Sequence, residues 1–378
     1  MGNTALDYLD SVNKAGEFYL MNKNEVLAKF DIVGAGELER VRILESYWKP
    51  PSWLGDVGKF ITNRRAPKQR ENIEELLKLS GCDTIAGYLY VTHALSLVDT
   101  FWVKPVSSIL EWNNVSLFTN PFNEVVAKTA FEGGLHGYNL STTSPEYGTD
   151  GSFAKCWIRE NGIIKLLKRG SSGARNAGLE PYSEFYASQI VKEFGLPYVA
   201  YDLRTHDGRL CSVCDCFTTE QLGYLPYAAL DRQSTTVADV LQVASSLGFE
   251  RELCAMFVLD AIILNEDRHK GNFGFIVDNN SQKIVGYAPF FDHNISLLPY
   301  AEEEDFQNID KYLSEKGPRI GSTFVSVARA VITPEIRKVL IGLLDFEFER
   351  NKKYNLPEWR LKALEMLVHR QIRDILSK

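Results

Sequence analysis

The sequence predicts an α+β protein with two lobes behind an N-terminal accessory α+β domain, and three observations carry that expectation. Residues 153–217 alternate as strand, strand, helix, strand, strand. The chain after them reads as mostly helical, broken by one hairpin. Residues 1–115 follow neither pattern, and no internal repeat or low-complexity tract is present. A length of 378 residues accommodates two or three packed units at roughly 100–200 residues each. The domain limits expected on this basis are 1–115, 116–217 and 218–378.

In chain order, residues 17–45 read as a small β-meander. Segments 18–20 and 26–30 flank an Asn-Lys-Asn turn, and 41–44 follow a Gly-rich turn. The Gly34-x-Gly36 pair in that turn is too short for a nucleotide fingerprint. A helix is expected over 69–79, with Ile73, Leu76 and Leu77 on one face and Gly81 as its stop. The basic residues Arg64, Arg65, Lys68 and Arg70 read as its solvated start. A loop rich in Gly, Ser and Thr (134–151) precedes strands at 153–159 and 163–168. After a loop at 170–173 comes a helix over 182–194, ended by Gly195 and Pro197, then strands at 198–203 and 209–217. The last helix starts at Pro357 and carries Leu361, Leu364, Val368, Ile372 and Ile375 at helical spacing, a core-facing stripe.

Composition narrows the function classes. At 45% apolar, 24% charged and 12% aromatic residues the chain is ordinary for a globular protein. No apolar run nears the roughly 20 residues of a membrane span, so no membrane association is expected. The N-terminus lacks the basic start and apolar stretch of a secretory leader. Met1-Gly2 is followed by Ala5-Leu6 where myristoylation wants Ser or Thr. The six cysteines do not form an extracellular framework. Cys211, Cys214 and Cys216 read as strand residues rather than zinc ligands, and a reduced, cytoplasmic setting follows. A net charge of −7 argues against direct binding of a nucleic-acid backbone.

The chemistry concentrates in LDAIILNEDRHKGNFGFIVDNNSQKIVGYAPFFD. An apolar helix delivers the chain into Asp267-Arg-His-Lys-Gly-Asn272, a strand follows, and a hairpin returns to Asp292. Phosphoryl transfer from ATP needs positioning and charge neutralisation more than covalent help. One carboxylate orients or deprotonates the acceptor hydroxyl. A second carboxylate and an amide oxygen hold Mg²⁺, which prefers hard oxygen ligands. Asp267 and Asn272 have the Asp-x₄-Asn spacing of kinase catalytic loops, and Asp292 stands where the metal-binding Asp follows a hairpin. A lone Asp here is an ordinary loop former; helix, loop, hairpin and distal Asp together are not. A hydrolytic metal site from Asp267, His269, Asp292 and His293 is a weaker alternative, lacking the closely spaced His ligands of familiar zinc motifs.

DRHKGNFG followed by APFFD resembles the HipA-like serine/threonine kinases, and the D-R-H-x-x-N loop is shared more widely with phosphatidylinositol kinases. The similarity spans residues ~115–378, while the first 115 resemble an accessory region of some HipA-domain proteins rather than the usual N-terminal subdomain. The resemblance implies a two-lobed protein-kinase-like fold, ATP and Mg²⁺ as cofactors, and a protein substrate with a Ser or Thr acceptor. It implies Asp267 as catalytic base, Asn272 and Asp292 as Mg²⁺ ligands, and His269 as the residue shaping the loop. In that context Lys168, one strand face with Ile164 and Leu166, reaches the nucleotide phosphates, and Glu184 on the following helix pairs with it. Asp215 to Phe217 form the connector beside the adenine. The loop 141–152 covers the phosphates, with Ser144 or a neighbouring hydroxyl as an autophosphorylation site. A toxin role with a cognate antitoxin is a further implication. A small-molecule or lipid kinase and a nucleotide-binding scaffold without turnover are the rival readings.

Overall fold

The computed structural model describes residues 16–34, 38–67, 70–134, 136–137, 140–173 and 176–377. The N-terminal stretch read for a leader, Gly36, Lys68 and Gln69 lie outside the described residues. The chain divides into two compact units. The first holds Met1–Leu166, Thr218–Gly223 and Val277–Lys283, and the second Leu167–Phe217, Tyr224–Ile276 and Ile284–Lys378.

The first unit is built on an antiparallel sheet of β1 (Glu17–Asn22), β2 (Glu25–Val33), β3 (Arg40–Ser46) and β4 (Phe101–Pro105), in the order β3-β2-β1-β4. The β1–β2 register sets Phe18 opposite Phe30 and Leu20 opposite Ala28, so that one face is wholly apolar. Onto it pack Leu76 and Leu77 of the Ile73–Leu79 helix, Leu89 of Ile85–Thr92, and Val126 and Ala130 of Glu124–Glu132. Strand β4 escapes sequence reading because Phe101, Trp102 and Val103 are all buried and no polar alternation marks it. The basic stretch is not a solvated helix start. Arg64 pairs with Asp99 at 2.6 Å and also reaches the Ala94 carbonyl, and Arg70 is buried with Nη1 on the Thr149 carbonyl. β5 (Lys155–Glu160) also belongs to this unit. Residues 218–223 and 277–283 complete it. Asn22 Nδ2 donates to the Asn279 carbonyl at 2.8 Å, Trp112 Nε1 to Glu220 Oε1 at 2.9 Å, and Thr218 Oγ1 to the Leu97 carbonyl.

β8 (Arg209–Asp215) lies between β6 (Ile163–Arg169), which enters the second unit at Leu167, and β7 (Asp202–His206), and the Glu180–Lys192 helix packs on β8. β9 (Leu222–Pro226), β10 (Gly274–Asp278) and β11 (Lys283–Tyr287) form a sheet in the order β11-β10-β9. The strand expected at 198–203 starts only at Asp202. Residues 197–199 pair instead with Phe290, whose N–H donates to the Pro197 carbonyl at 2.9 Å while Val199 N–H donates back at 2.8 Å. The Glu250–Ile263 helix is buried from Leu253 to its end and packs against the Phe324–Val331 and Glu358–Leu376 helices. Leu361, Leu364, Val368, Ile372 and Ile375 of the last helix turn into that core, as their spacing predicts. Among the described residues no helix is long and apolar enough to cross a membrane. All six cysteines are free thiols.

Candidate active site

The site is assembled within the second unit around an ion pair buried in the helical core. Asp260 sits in an otherwise apolar helix, where a lone carboxylate requires a partner. Arg268 supplies it, with Nε 3.0 Å from Asp260 Oδ2 and Nη2 3.1 Å from Oδ1. The remaining donors of that guanidinium reach further. Nη1 donates to the Asn272 carbonyl at 2.8 Å and the Phe291 carbonyl at 2.6 Å, and Nη2 lies 3.1 Å from His293 Nδ1. One planar cation therefore ties the 267–272 loop to the residues flanking Asp292.

The loop between them is folded on itself. Leu264 ends the Glu250–Ile263 helix at φ +54°, a left-handed conformation that a leucine adopts only under outside constraint. Asn265 Nδ2 donates to Asp260 Oδ1 at 3.1 Å, and its Oδ1 accepts the Asp267 N–H at 3.0 Å. His269 N–H donates to the Asp267 carbonyl at 2.7 Å, and His269 Nδ1 accepts the Gly271 N–H at 3.0 Å. The exposed His269 thus shapes the turn with its own ring. Asn272 Nδ2 donates to the Asp267 carbonyl at 3.2 Å, which leaves its Oδ1 without a hydrogen-bond partner among the described residues. The Asp267 carboxylate accepts Arg319, from Nη2 at 2.9 Å and Nε at 3.3 Å.

Lys168 reaches the other side of the constellation. Its Nζ contacts Glu184 Oε1 and lies 2.7 Å from Asp292 Oδ1, while Ser212 Oγ donates to Glu184 Oε2. Burial works to lower the Lys168 pKa, but the two carboxylate charges outweigh it and hold the ammonium protonated. Of those carboxylates Glu184 is fully buried, and burial raises its pKa despite Lys168. Asp292 occupies the left-handed region at φ +59°, its N–H donating to the Tyr201 hydroxyl at 3.1 Å. His293 is fully buried, and burial with the Arg268 charge pushes its imidazole pKa well below the usual value.

Asp215 is exposed at the end of β8. Phe217 stands in an aromatic triad with Tyr224 at 5.6 Å and Phe291 at 5.4 Å between ring centroids, and Tyr224 donates to the Gly271 carbonyl at 2.8 Å. The structure thus brings Lys168, Glu184 and Asp292 into contact, and links Asp267, His269 and Asn272 to Asp292 through Arg268. Ser144 belongs to the first unit, where it is buried and its Oγ donates to Glu146. Three residues that matter to this arrangement were given no role by sequence reading, Asp260, Arg268 and Arg319, and His293 was weighed there only as a ligand of the alternative metal site. The single acid in LDAIIL was a usable signal for the first two, since an apolar helix does not bury a carboxylate unpaired. Nothing in the sequence pattern singles out Arg319.

Comparison with known proteins supports the fold that the resemblance implies. No protein-family model matches the chain. The serine/threonine-protein kinase CtkA of Helicobacter pylori is 30% identical over 154 residues, which is 37% of this chain and 47% of CtkA. The chain thus spans about half the length of the curated relative it matches. HipA of Shewanella oneidensis MR-1, solved with HipB and its operator DNA, superposes with a TM-score of 0.54 at 10% identity, over 94% of this chain and 96% of that one. The H. pylori CtkA crystal structure gives a TM-score of 0.44 at 21% identity, over 58% of this chain and 90% of that one. The class is therefore a mixed α+β fold like that of HipA. Within that class, part of the chain is similar in sequence to a serine/threonine kinase.

Proposed function

We propose that this protein is an ATP- and Mg²⁺-dependent serine/threonine protein kinase of the HipA-like type. The observation that carries the reading is the single ammonium of Lys168 held against both Glu184 and Asp292, with Asp292 tied through Arg268 to the Asp267–Asn272 loop. Lys168 binds the nucleotide phosphates, and Glu184, braced by Ser212, holds Lys168 in place. Asn272 Oδ1 and Asp292 are the Mg²⁺ ligands. One amide oxygen and one carboxylate suit an ion that takes its remaining ligands from water and phosphate. Bound Mg·ATP supplies the phosphoryl group and neutralises its charge. Asp267 orients the acceptor hydroxyl and takes its proton, and His269 keeps the loop in shape. The Asp215–Phe217 connector and its aromatic neighbours flank the adenine. His293 is fully buried with its Nδ1 3.1 Å from Arg268 Nη2, which weighs against the hydrolytic alternative.

The finer parts of the reading are the domain limits 1–115, 116–217 and 218–378, a cytoplasmic setting, and a toxin role with an antitoxin partner. Autophosphorylation within 141–152 is a further part. It can involve Ser144 only when the segment opens, because that hydroxyl is 2% exposed and engaged by Glu146. Intact-mass analysis after incubation with Mg·ATP reads it directly; no added phosphate on 141–152 discards it. The central test is labelled ATP with wild type and Asp267→Gln in a host-cell lysate. Wild type should label protein acceptors, and the variant should not, while keeping its ATP-induced thermal shift. Equal labelling by the two proteins would remove Asp267 as the base.

A further inference from the structure

Resting on the kinase reading above, we infer that Arg319 is a specificity-determining residue of the acceptor site, selecting a serine or threonine hydroxyl that stands beside an acidic side chain. Both donors that Arg319 directs at Asp267 go to one oxygen, Oδ1, at 2.9 and 3.3 Å. Asp267 Oδ2 and Arg319 Nη1 have no hydrogen-bond partner among the described residues. An acceptor hydroxyl that reaches the Asp267 carboxylate therefore arrives within hydrogen-bonding range of the guanidinium.

The backbone around Arg319 is fixed while its side chain is not. Ile320 is buried at 7% exposure, and Pro318, Arg319 and Ile320 share a small recess with Phe257, Asp260 and Arg268. Gly321 has φ +102°, and a Cβ there would sit 2.3 Å from Val327 Cγ2, so the turn accepts no other residue without a shift. The Arg319 side chain itself is 62% exposed. An ion pair this open to solvent is weak and exchanges partners readily.

The local charges decide what replaces Asp267 as the partner. Lys316 Nζ lies 3.0 Å from Glu266 Oε2, so the neighbouring carboxylate is already paired. Once Asp267 takes the acceptor proton its carboxyl group is neutral, and the Arg319 charge is uncompensated. A carboxylate next to the acceptor serine restores the pairing, and a lysine or arginine there is repelled. An exposed pair of this kind corresponds to a preference of about two- to five-fold in kcat/KM.

The test uses the full chain with Mg·ATP and serine peptides identical except for Asp, Ala or Lys on either side of the serine. Wild type should favour the Asp peptide over the Lys peptide, with a smaller ratio at high salt as exposed charges are screened. Arg319→Lys should keep the preference, Arg319→Gln should abolish it, and Arg319→Glu should reverse it, each with an unchanged ATP-induced thermal shift. If one variant fails to fold, the other two still decide. Transfer with no charge preference, or with a preference untouched by the residue at 319, overturns this inference and leaves the kinase reading standing. No transfer by wild type to any peptide or lysate protein overturns both.

Discussion

Replacing Asp260 with alanine leaves the Arg268 guanidinium charged and buried in the helical core without its carboxylate. The two side chains are 5% and 4% exposed, so water does not take the lost partner's place. Breaking a buried pair from one side is worth about 3–5 kcal/mol. Arg268 retains the Asn272 and Phe291 carbonyls, which places the loss near the lower end, about 3 kcal/mol. For a cooperative unit of roughly 150–250 residues that corresponds to a fall of about 6–12 °C in Tm. Thermal unfolding followed by circular dichroism at neutral pH measures it. The double variant Asp260→Leu/Arg268→Met, which removes both charges, should unfold above either single variant. An Asp260→Ala protein within about 0.5 kcal/mol of wild type, or a double variant showing the sum of both losses, would refute the assignment of Arg268 as the tie holding the two halves of the site.

Three further outcomes follow from the same geometry. Lys168→Met should abolish the thermal shift induced by Mg·ATP and lower the unfolding temperature without nucleotide, because Glu184 and Asp292 then lose the ammonium they share; differential scanning fluorimetry reads both effects, and an intact shift would contradict them. Gly274→Ala should destabilise by about 1–3 kcal/mol, since its Cβ would lie 2.1 Å from the Leu225 carbonyl oxygen, and urea titration checks it. His93 has a pKa lowered by burial, so the unfolded chain takes up the proton first: its stabilising contribution is complete above the unfolded value of about 6.5 and is lost as pH falls below it. Relative to His93→Gln, wild-type stability measured from pH 7.5 to 5 should fall as pH drops below about 6.5, by at most about 1.4 kcal/mol per pH unit, and parallel curves for the two proteins would dismiss the effect.

What could be read from the sequence was whatever local pattern alone dictates. The Glu25–Val33 strand, the Glu180–Lys192 helix and the closing helix announced themselves by apolar period and by their stops. The order strand, strand, helix, strand, strand was visible for the same reason, and so was the spacing of Asp267, Asn272 and Asp292. Position in space was harder. Tyr201 looked like a strand residue, yet it serves as the acceptor for the Asp292 N–H, and residues 197–199 pair with a segment ninety positions away. Arg70 looked solvated and is buried, because burial of a cation depends on carbonyls supplied by distant chain. Ser144 was read from its place in a hydroxyl-rich loop, but Glu146, two residues on, takes its hydroxyl. Arg319 illustrates the limit most clearly: its partner lies 52 positions upstream, and no periodicity links them.

The first unit is completed by residues that the ribosome delivers late. Its sheet and helices are in hand by Leu166, yet Asn22 waits for Asn279, Trp112 for Glu220, and the last segment ends at Lys283. At ~5–20 residues per second, that interval lasts about 6–25 s. During synthesis the first unit therefore remains unfinished until the chain has grown past the 267–272 loop. Its final closure is timed by the growth of the chain rather than by the unit's own folding rate.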